Sequence, residues 1–422
     1  MELTVSSRVW AVASVVIGLS AGTSSGGAPG EIASEGEGAG VVAGASSGGD
    51  GAGDGPTARG TVDMPISGFP FDSSTVTIDE GVFSQPVALV DLDMDSDLDV
   101  LASSEDGKGG SSVVWYENSR GLLMSAPSRS VAFTFSFIVG LDAGDINGDG
   151  RIDALVVTDD ELLVANNTGG DPPNFTPFNV APTISDARSG ALGDIDNDGD
   201  LDAVVGLDDM SSGLRWYDNT AGDGFTPFQE SQIDASGGDF RGVALDDLNG
   251  DGLLDVGVQE VIRGDVRAYL NVAGGASFDA VTVDTDAGLS ASPVLADIDG
   301  DGATDFVYTK PVTGMPGQRG GSTRVVIAFN DGDGSAYTIR DASETLGSIS
   351  ALAASDYDND GDLDIAVAES GDPSIRWIEN LGERTFSTRL ALSGTADAVA
   401  ALASGDLDLD GDTDLVAVSS SG

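Results

Sequence analysis

One acidic stretch recurs seven times along this chain, beginning at Asp91, Asp145, Asp194, Asp247, Asp297, Asp356 and Asp406. The intervals are 54, 49, 53, 50, 59 and 50 residues. A near-constant period of this size marks a solenoid or a propeller. Between anchors the pattern repeats. An apolar strand enters the acidic stretch, as in Val87-Ala88-Leu89-Val90, and another leaves it, as in Asp202-Ala203-Val204-Val205. A third carries aromatics and ends in Asn, as in Trp115-Tyr116-Glu117-Asn118, Trp216-Tyr217-Asp218-Asn219 and Trp377-Ile378-Glu379-Asn380. After a Gly-rich turn, a fourth often begins with Phe, at Phe175, Phe225, Phe278 and Phe386. Four short strands per ~50 residues match one blade of a propeller. No segment has a long 3.6-residue apolar period, so helices should be minor. The expected fold is all-β, a seven-bladed β-propeller of four-stranded antiparallel blades, with a calcium loop between strands one and two of each blade.

The calcium expectation rests on spacing. Aligned on the first Asp, every acidic stretch has oxygen side chains at positions one, three, five and nine. The first loop offers Asp91, Asp93, Asp95 and Asp99; the second, Asp145, Asn147, Asp149 and Asp153. The third offers Asp194, Asp196, Asp198 and Asp202; the fourth, Asp247, Asn249, Asp251 and Asp255. The fifth offers Asp297, Asp299, Asp301 and Asp305; the sixth, Asp356, Asp358, Asp360 and Asp364. The seventh offers Asp406, Asp408, Asp410 and Asp414. Calcium takes six to eight oxygens at about 2.3–2.6 Å in a flexible shell. Alternate residues of a tight loop can point short carboxylates inward, and the position-seven carbonyl can add another ligand. Position six needs a sharp turn, hence Gly150, Gly199, Gly252, Gly302, Gly361 and Gly411; the first loop has Ser96 there, at a costlier backbone. The loop's first half matches an EF-hand, but the twelfth-position Glu is missing, and Asp at position nine takes over its role. A single such loop could be a solvated acidic turn. Seven in register are not.

This D-x-[DN]-x-D-G-x-x-D pattern, with the Trp-Tyr-Glu-Asn strand, resembles the FG-GAP/VCBS-type repeats of the integrin α-subunit propeller and its relatives. The resemblance covers roughly Phe69–Gly422, without the Phe-Gly and Gly-Ala-Pro signatures of integrin repeats. It implies a propeller with calcium in the loops joining strands one and two. It does not imply one function, since such propellers occur in adhesion proteins and in polysaccharide lyases.

Composition supports a structural role for about seven calcium ions. The chain has 71 Asp+Glu against 18 Lys+Arg, a net charge of −53, yet 40% of its residues are hydrophobic. Such charge is compatible with folding only where something neutralises it. Seven divalent ions add fourteen positive charges, moving −53 to −39. At ten times the dissociation constant each ion stabilises by ~1.4 kcal/mol, about 10 for seven sites. Nucleic acid and anionic membrane are repelled. With no Cys and no His, disulfides, Cys/His zinc sites, Ser-His-Asp triads and His bases are excluded.

The expected domains are a signal peptide over 1–22, a Gly/Ala/Ser-rich disordered linker over 23–62, and the propeller over 63–422. Arg8 precedes the apolar run Val9–Leu19, too short to span a bilayer. The chain is therefore expected to be secreted or at the cell surface, with no membrane span beyond the signal. Phe71–Ile78 resembles a fourth strand with no blade of its own, so it should complete the last blade and close the ring. The last blade's third strand has no obvious source. Either the segment around Thr61–Ile66 fills the slot or the blade is incomplete.

Alternating strand direction puts every acidic loop at one end of the sheets. The loops between strands two and three lie at the other, vary most in length and include Lys108 and Lys310, the two lysines. A protein or glycan partner is expected there. Arg263-Gly264-Asp265 reads as a turn, and Asn166-Asn167-Thr168 and Asn174-Phe175-Thr176 are glycosylation sequons. Trp115, Trp216 and Trp377 recur at one position, as packing residues do. The leading functional expectation is a non-catalytic binding or adhesion module. The alternatives are a calcium-dependent polysaccharide lyase or hydrolase, with Lys108, Lys310, an arginine or a carboxylate pair as base, and a fragment of a larger surface protein.

Overall fold

A computed structural model describes residues 3–8, 75–79, 83–105, 110–119, 129–181, 184–209, 213–287, 291–312, 322–370, 372, 374–392 and 399–419. The expected linker lies outside them. Among the described residues there are strands and no helices, and no helix is long and apolar enough to cross a membrane.

Each repeat folds as four antiparallel strands in chain order. The first consists of Phe83–Val90, Asp99–Glu105, Ser111–Tyr116 and Arg129–Thr134. Five more such sets begin at Ile138, Ala187, Gly238, Val294 and Ile349. The sets starting at Ala187 and Gly238 are joined into one sheet by a short pairing of Asp208 with Asp239 and Asp209 with Gly238. In the last set Val399–Gly405 pairs with Asp414–Ser419, which pairs with Leu3–Arg8, which pairs with Thr75–Asp79. The expected closing strand is thus present. The third-strand slot, expected for Thr61–Ile66 or for nothing, is filled by Leu3–Arg8, a segment that the sequence assigns to the export signal. Residues 61–66 lie outside the described residues.

Burial follows strand order. Second strands such as Asp153–Thr158, Asp255–Glu260 and Asp364–Glu369 are buried along their whole length. Their continuous apolar runs fit strands covered on both faces. The fourth strand Gln229–Asp234 is exposed or half-buried throughout, as an edge should be. The cores lie between sheets. Leu155, Val157 and Val164 of the second repeat pack with Ala203, Val205 and Tyr217 of the third. Val87, Val100 and Tyr116 of the first pack with Val399, Ala401 and Val416 of the last. Val399–Gly405 also lies against Phe83–Val90, so the arrangement is propeller-like.

Trp115 and Trp377 are almost wholly buried and Trp216 nearly so, which makes them packing residues. Phe175, Phe278 and Phe386 open fourth strands as expected. Phe225 does not; it is 51% exposed, four residues ahead of Gln229–Asp234. Lys310, expected in a loop, pairs with Arg324 across the ends of strands Asp305–Pro311 and Thr323–Asn330. Lys108 lies outside the described residues.

Candidate metal centre

Each acidic loop joins the first two strands of its set, and its carboxylates are held by the loop's own backbone. In the third, Asp194 Oδ1 and Oδ2 accept from the Asp198 and Gly199 N–H groups, both at 3.0 Å. Asp196 Oδ1 accepts from the Asp198 N–H at 3.2 Å, and Asp198 Oδ1 from the Asp200 N–H at 3.0 Å. The position-one bonds recur in all seven loops, including the first, where Ser96 donates to Asp91 Oδ2 at 2.9 Å with φ at +78°. A Cβ on Gly199 or its counterparts would meet no atom, so the glycine serves only the left-handed backbone. Position four is left-handed too, in Gly148, Gly250, Gly300, Asn197, Asn359, Met94 and Leu409; the glycines and asparagines there were a readable signal that sequence reasoning passed over.

Position nine has a second task. Asp202 is 1% exposed. Its Oδ2 accepts from the Ile195 N–H at 3.2 Å and its Oδ1 from the Asn219 N–H at 2.8 Å. Asn219, the Asn ending the third strand, donates through Nδ2 to the Leu201 carbonyl at 3.3 Å and to the Ile146 carbonyl of the preceding repeat at 2.9 Å. Asn167, Asn271, Asn330 and Asn380 make the same backward bond, to Leu92, Ile195, Leu248 and Ile298. Asn118 makes it to Leu407 of the last repeat, at 2.6 Å. The recurring Asn was visible in the sequence, but its partner some 75 residues upstream was not.

Carboxylate oxygens from Asp91, Asp93 and Asp99 lie within 4.8 Å of one another. So do those of Asp194, Asp196 and Asp202; of Asp297, Asp299 and Asp305; of Asp356, Asp358 and Asp360; and of Asp406, Asp408 and Asp414. The second and fourth loops carry Asn147 and Asn249 at position three and have one carboxylate fewer. Burial pushes the position-nine carboxyls far above the usual range, to about 7 at Asp99, Asp202, Asp255, Asp305, Asp364 and Asp414 and about 6 at Asp153. Burial, followed by repulsion from Asp95, raises Asp93 to about 6; the same causes raise Asp196, Asp358 and Asp408. Asp299 Oδ1 and Asp358 Oδ1 are buried without a hydrogen-bond partner. Converging, partly desolvated, underused oxygens with no nitrogen or sulfur donor fit a hard cation such as calcium.

Two loops also carry a protein cation. Arg151 pairs with Asp149 of its own loop. Arg384, from the turn after Asn380, pairs with Asp299 and sits 3.8 Å from Asp301.

The model of the FG-GAP-like repeat matches this chain over residues 91–156, 145–205, 194–258 and 356–417, together more than half of it. The chain belongs to the FG-GAP-like repeat family. Each match starts at the first Asp of a loop, so one FG-GAP-like unit runs from loop to loop and spans two sheets. No curated protein matches the chain in sequence. Among solved structures it is similar to an Agrocybe aegerita lectin, described by its specific recognition of non-reducing terminal N-acetylglucosamine. The identity is 19%, the TM-score 0.50, and 80% of this chain and 87% of that one are covered. A WD40 domain from Toxoplasma gondii coronin superposes less well, at 10% identity and a TM-score of 0.45, over 80% of this chain and 87% of that one. The lectin likeness is one of fold alone.

The other sequence candidates are absorbed by the fold. Lys310 Nζ is held by Asp284 Oδ2 at 2.5 Å, which also accepts from the buried Tyr308 hydroxyl at 2.5 Å. Arg263-Gly264-Asp265 is a turn, with Gly264 at φ +74° and Arg263 drawn to Glu260 at 3.7 Å. Asn166 of the first sequon is buried in its strand, whereas Asn174 of the second lies at an exposed turn.

Proposed function

We propose that the chain is a secreted or cell-surface binding module: a closed seven-bladed propeller, stabilised by about seven calcium ions and non-catalytic. The carrying observation is the pair of buried carboxylate oxygens, Asp299 Oδ1 and Asp358 Oδ1, that no protein donor satisfies. A buried acceptor left unmade costs ~1–3 kcal/mol, more when charged, and a cation removes that cost. Closure is supported by the Asn118 amide on the Leu407 carbonyl and by the core shared between the first and last repeats. Position one, three, five and nine side chains would hold the ion. When bound it would supply charge neutralisation and loop rigidity, not chemistry.

The binding role is supported by the fold shared with a lectin and by the lack of His and Cys, which leaves few bases. The partner, a protein or glycan, is placed at the sheet ends opposite the acidic loops. The rival lyase or hydrolase reading loses support at Lys310, whose amine is held by Asp284. Calorimetric titration of the metal-stripped protein with calcium tests the core of the proposal. About seven sites are expected, and absence of calcium heat with unchanged melting would refute it. N-terminal sequencing of protein from the culture medium tests export and the fate of Leu3–Arg8.

A further inference from the structure

A cavity of about 410 Å³ opens between the fifth and sixth repeats, at the end of the sheets away from the acidic loops. Its place follows from strand order. Glu369 ends the strand that Asp364 begins, and Arg376 lies near the start of the strand that Asn380 ends. Ser322, Glu344, Thr388 and Arg389 complete the polar lining. The cavity is built, not incidental. The Glu369 side chain is only 9% exposed; it accepts from Arg376 Nε and from the Gly347 N–H. Arg389 is fixed by Glu379 and by stacking 5.3 Å above the Trp377 ring.

The chemistry selects a ligand class. Two carboxylates and two guanidiniums give the lining zero formal charge, in a chain of net −53. An anion would be repelled by the surrounding field, and a cation would find the buried carboxylate, Glu369, already paired with Arg376. A neutral polyol suits the site. Each of its hydroxyls both donates and accepts, so vicinal hydroxyls can bridge a carboxylate and a guanidinium while Ser322 and Thr388 bond the rest. The volume is within the range of small-ligand sites.

We propose that this cavity is a binding subsite for a neutral polyhydroxylated ligand, the end of an uncharged glycan. The inference rests on the binding-module reading and gives that module its ligand class. The test uses the full chain with calcium, an array of neutral glycans, and calorimetry on the best binder. Arg376→Ala removes the guanidinium; Thr388→Trp fills the cavity from a half-buried strand position and leaves the Glu369–Arg376 pair in place. Each is expected to weaken binding at least about tenfold, the value of one charged hydrogen-bonding group, with melting unchanged for Thr388→Trp. Unaltered affinity in Thr388→Trp overturns the cavity and leaves the binding-module reading standing, as does failure of the wild type to bind any neutral glycan. Cleavage of the glycan by the wild type would instead overturn the non-catalytic reading.

Discussion

The two ends of the sheets are held by opposite means. At the loop end the same bonds recur in repeat after repeat: position-one carboxylates on loop N–H groups, position-nine carboxylates beneath them, Asn amides reaching back. At the far end the contacts are ion pairs that differ between repeats: Arg188 with Asp208, Arg241 with Asp239, Arg376 with Glu369. One far-end arrangement occurs twice, as Tyr269 and Arg267 on Asp234 and as Tyr308 and Lys310 on Asp284. The far end supplies its own cations. Among the described residues the loop end, apart from Arg151 and Arg384, does not. On the proposed reading one end would depend on imported charge, while the other is self-sufficient and free to vary.

The largest test of that contrast is removal of calcium. Excess chelator is expected to lower the melting temperature by tens of degrees, since about 10 kcal/mol rivals the ~5–15 kcal/mol of a typical domain. Unchanged melting in calorimetry would break the comparison at once. The pH dependence should invert with the metal. Folding raises the position-nine carboxyls to about 6–7, above their unfolded value, so their protonated form favours the folded state. The stabilisation is full below the unfolded pKa, near 4, and is lost as pH rises through 6–7. Chelated protein should thus melt lower at pH 8 than at pH 5. Calcium-loaded protein should show the reverse, because protons compete with the ion. A common slope with and without calcium would count against carboxylates as its ligands.

Single residues sharpen the contrast further. Asp202→Ala strips the bonds to Ile195 and Asn219 as well as an ion ligand, and should cost about 3 kcal/mol or more by denaturant unfolding. Much of that loss should persist in chelator, whereas the loss from Asp198→Ala, an exposed position-five residue, should shrink there to the small value of its one bond from the Asp200 N–H. Lys310→Ala at the far end leaves Asp284 with Tyr308 alone and should cost about 2 kcal/mol, the same in calcium and in chelator. The smallest effect is at the fifth loop. Arg384→Ala removes a competing charge and should tighten one calcium site a few-fold in a titration.

Most of the loop end was legible because its rules are local. Asp spacing, the position-six glycines and the strand-ending Asn all fall within one repeat. The sequence also exposed the Ser96 exception, since a missing glycine is visible without a structure. What escaped was non-local. Arg384 meets Asp299 across 85 residues, and Asn118 meets Leu407 across 289. Leu3–Arg8 reads as part of an export signal because its short apolar alternation is weak beside the run that follows it. The far end escaped for another reason. Its Tyr, Lys and Arg side chains follow no period, and only packing of successive sheets brings Asp284 to Tyr308.

The amide latches all point one way, from each repeat to the one before it. Leu3–Arg8, the third strand of the last repeat, contains no asparagine, so the junction between the sixth and seventh repeats lacks this latch. That junction carries instead the Tyr357 and Ser404 hydroxyls at 3.3 Å, Ser355 with Thr413 at 3.2 Å, the Ser350 hydroxyl on the Val399 carbonyl at 2.7 Å and the Asn359 amide on the Asp412 carboxylate. Tension applied through Leu3–Arg8 and Asp414–Ser419, neighbours in one sheet, should load their own pairing before any junction between repeats.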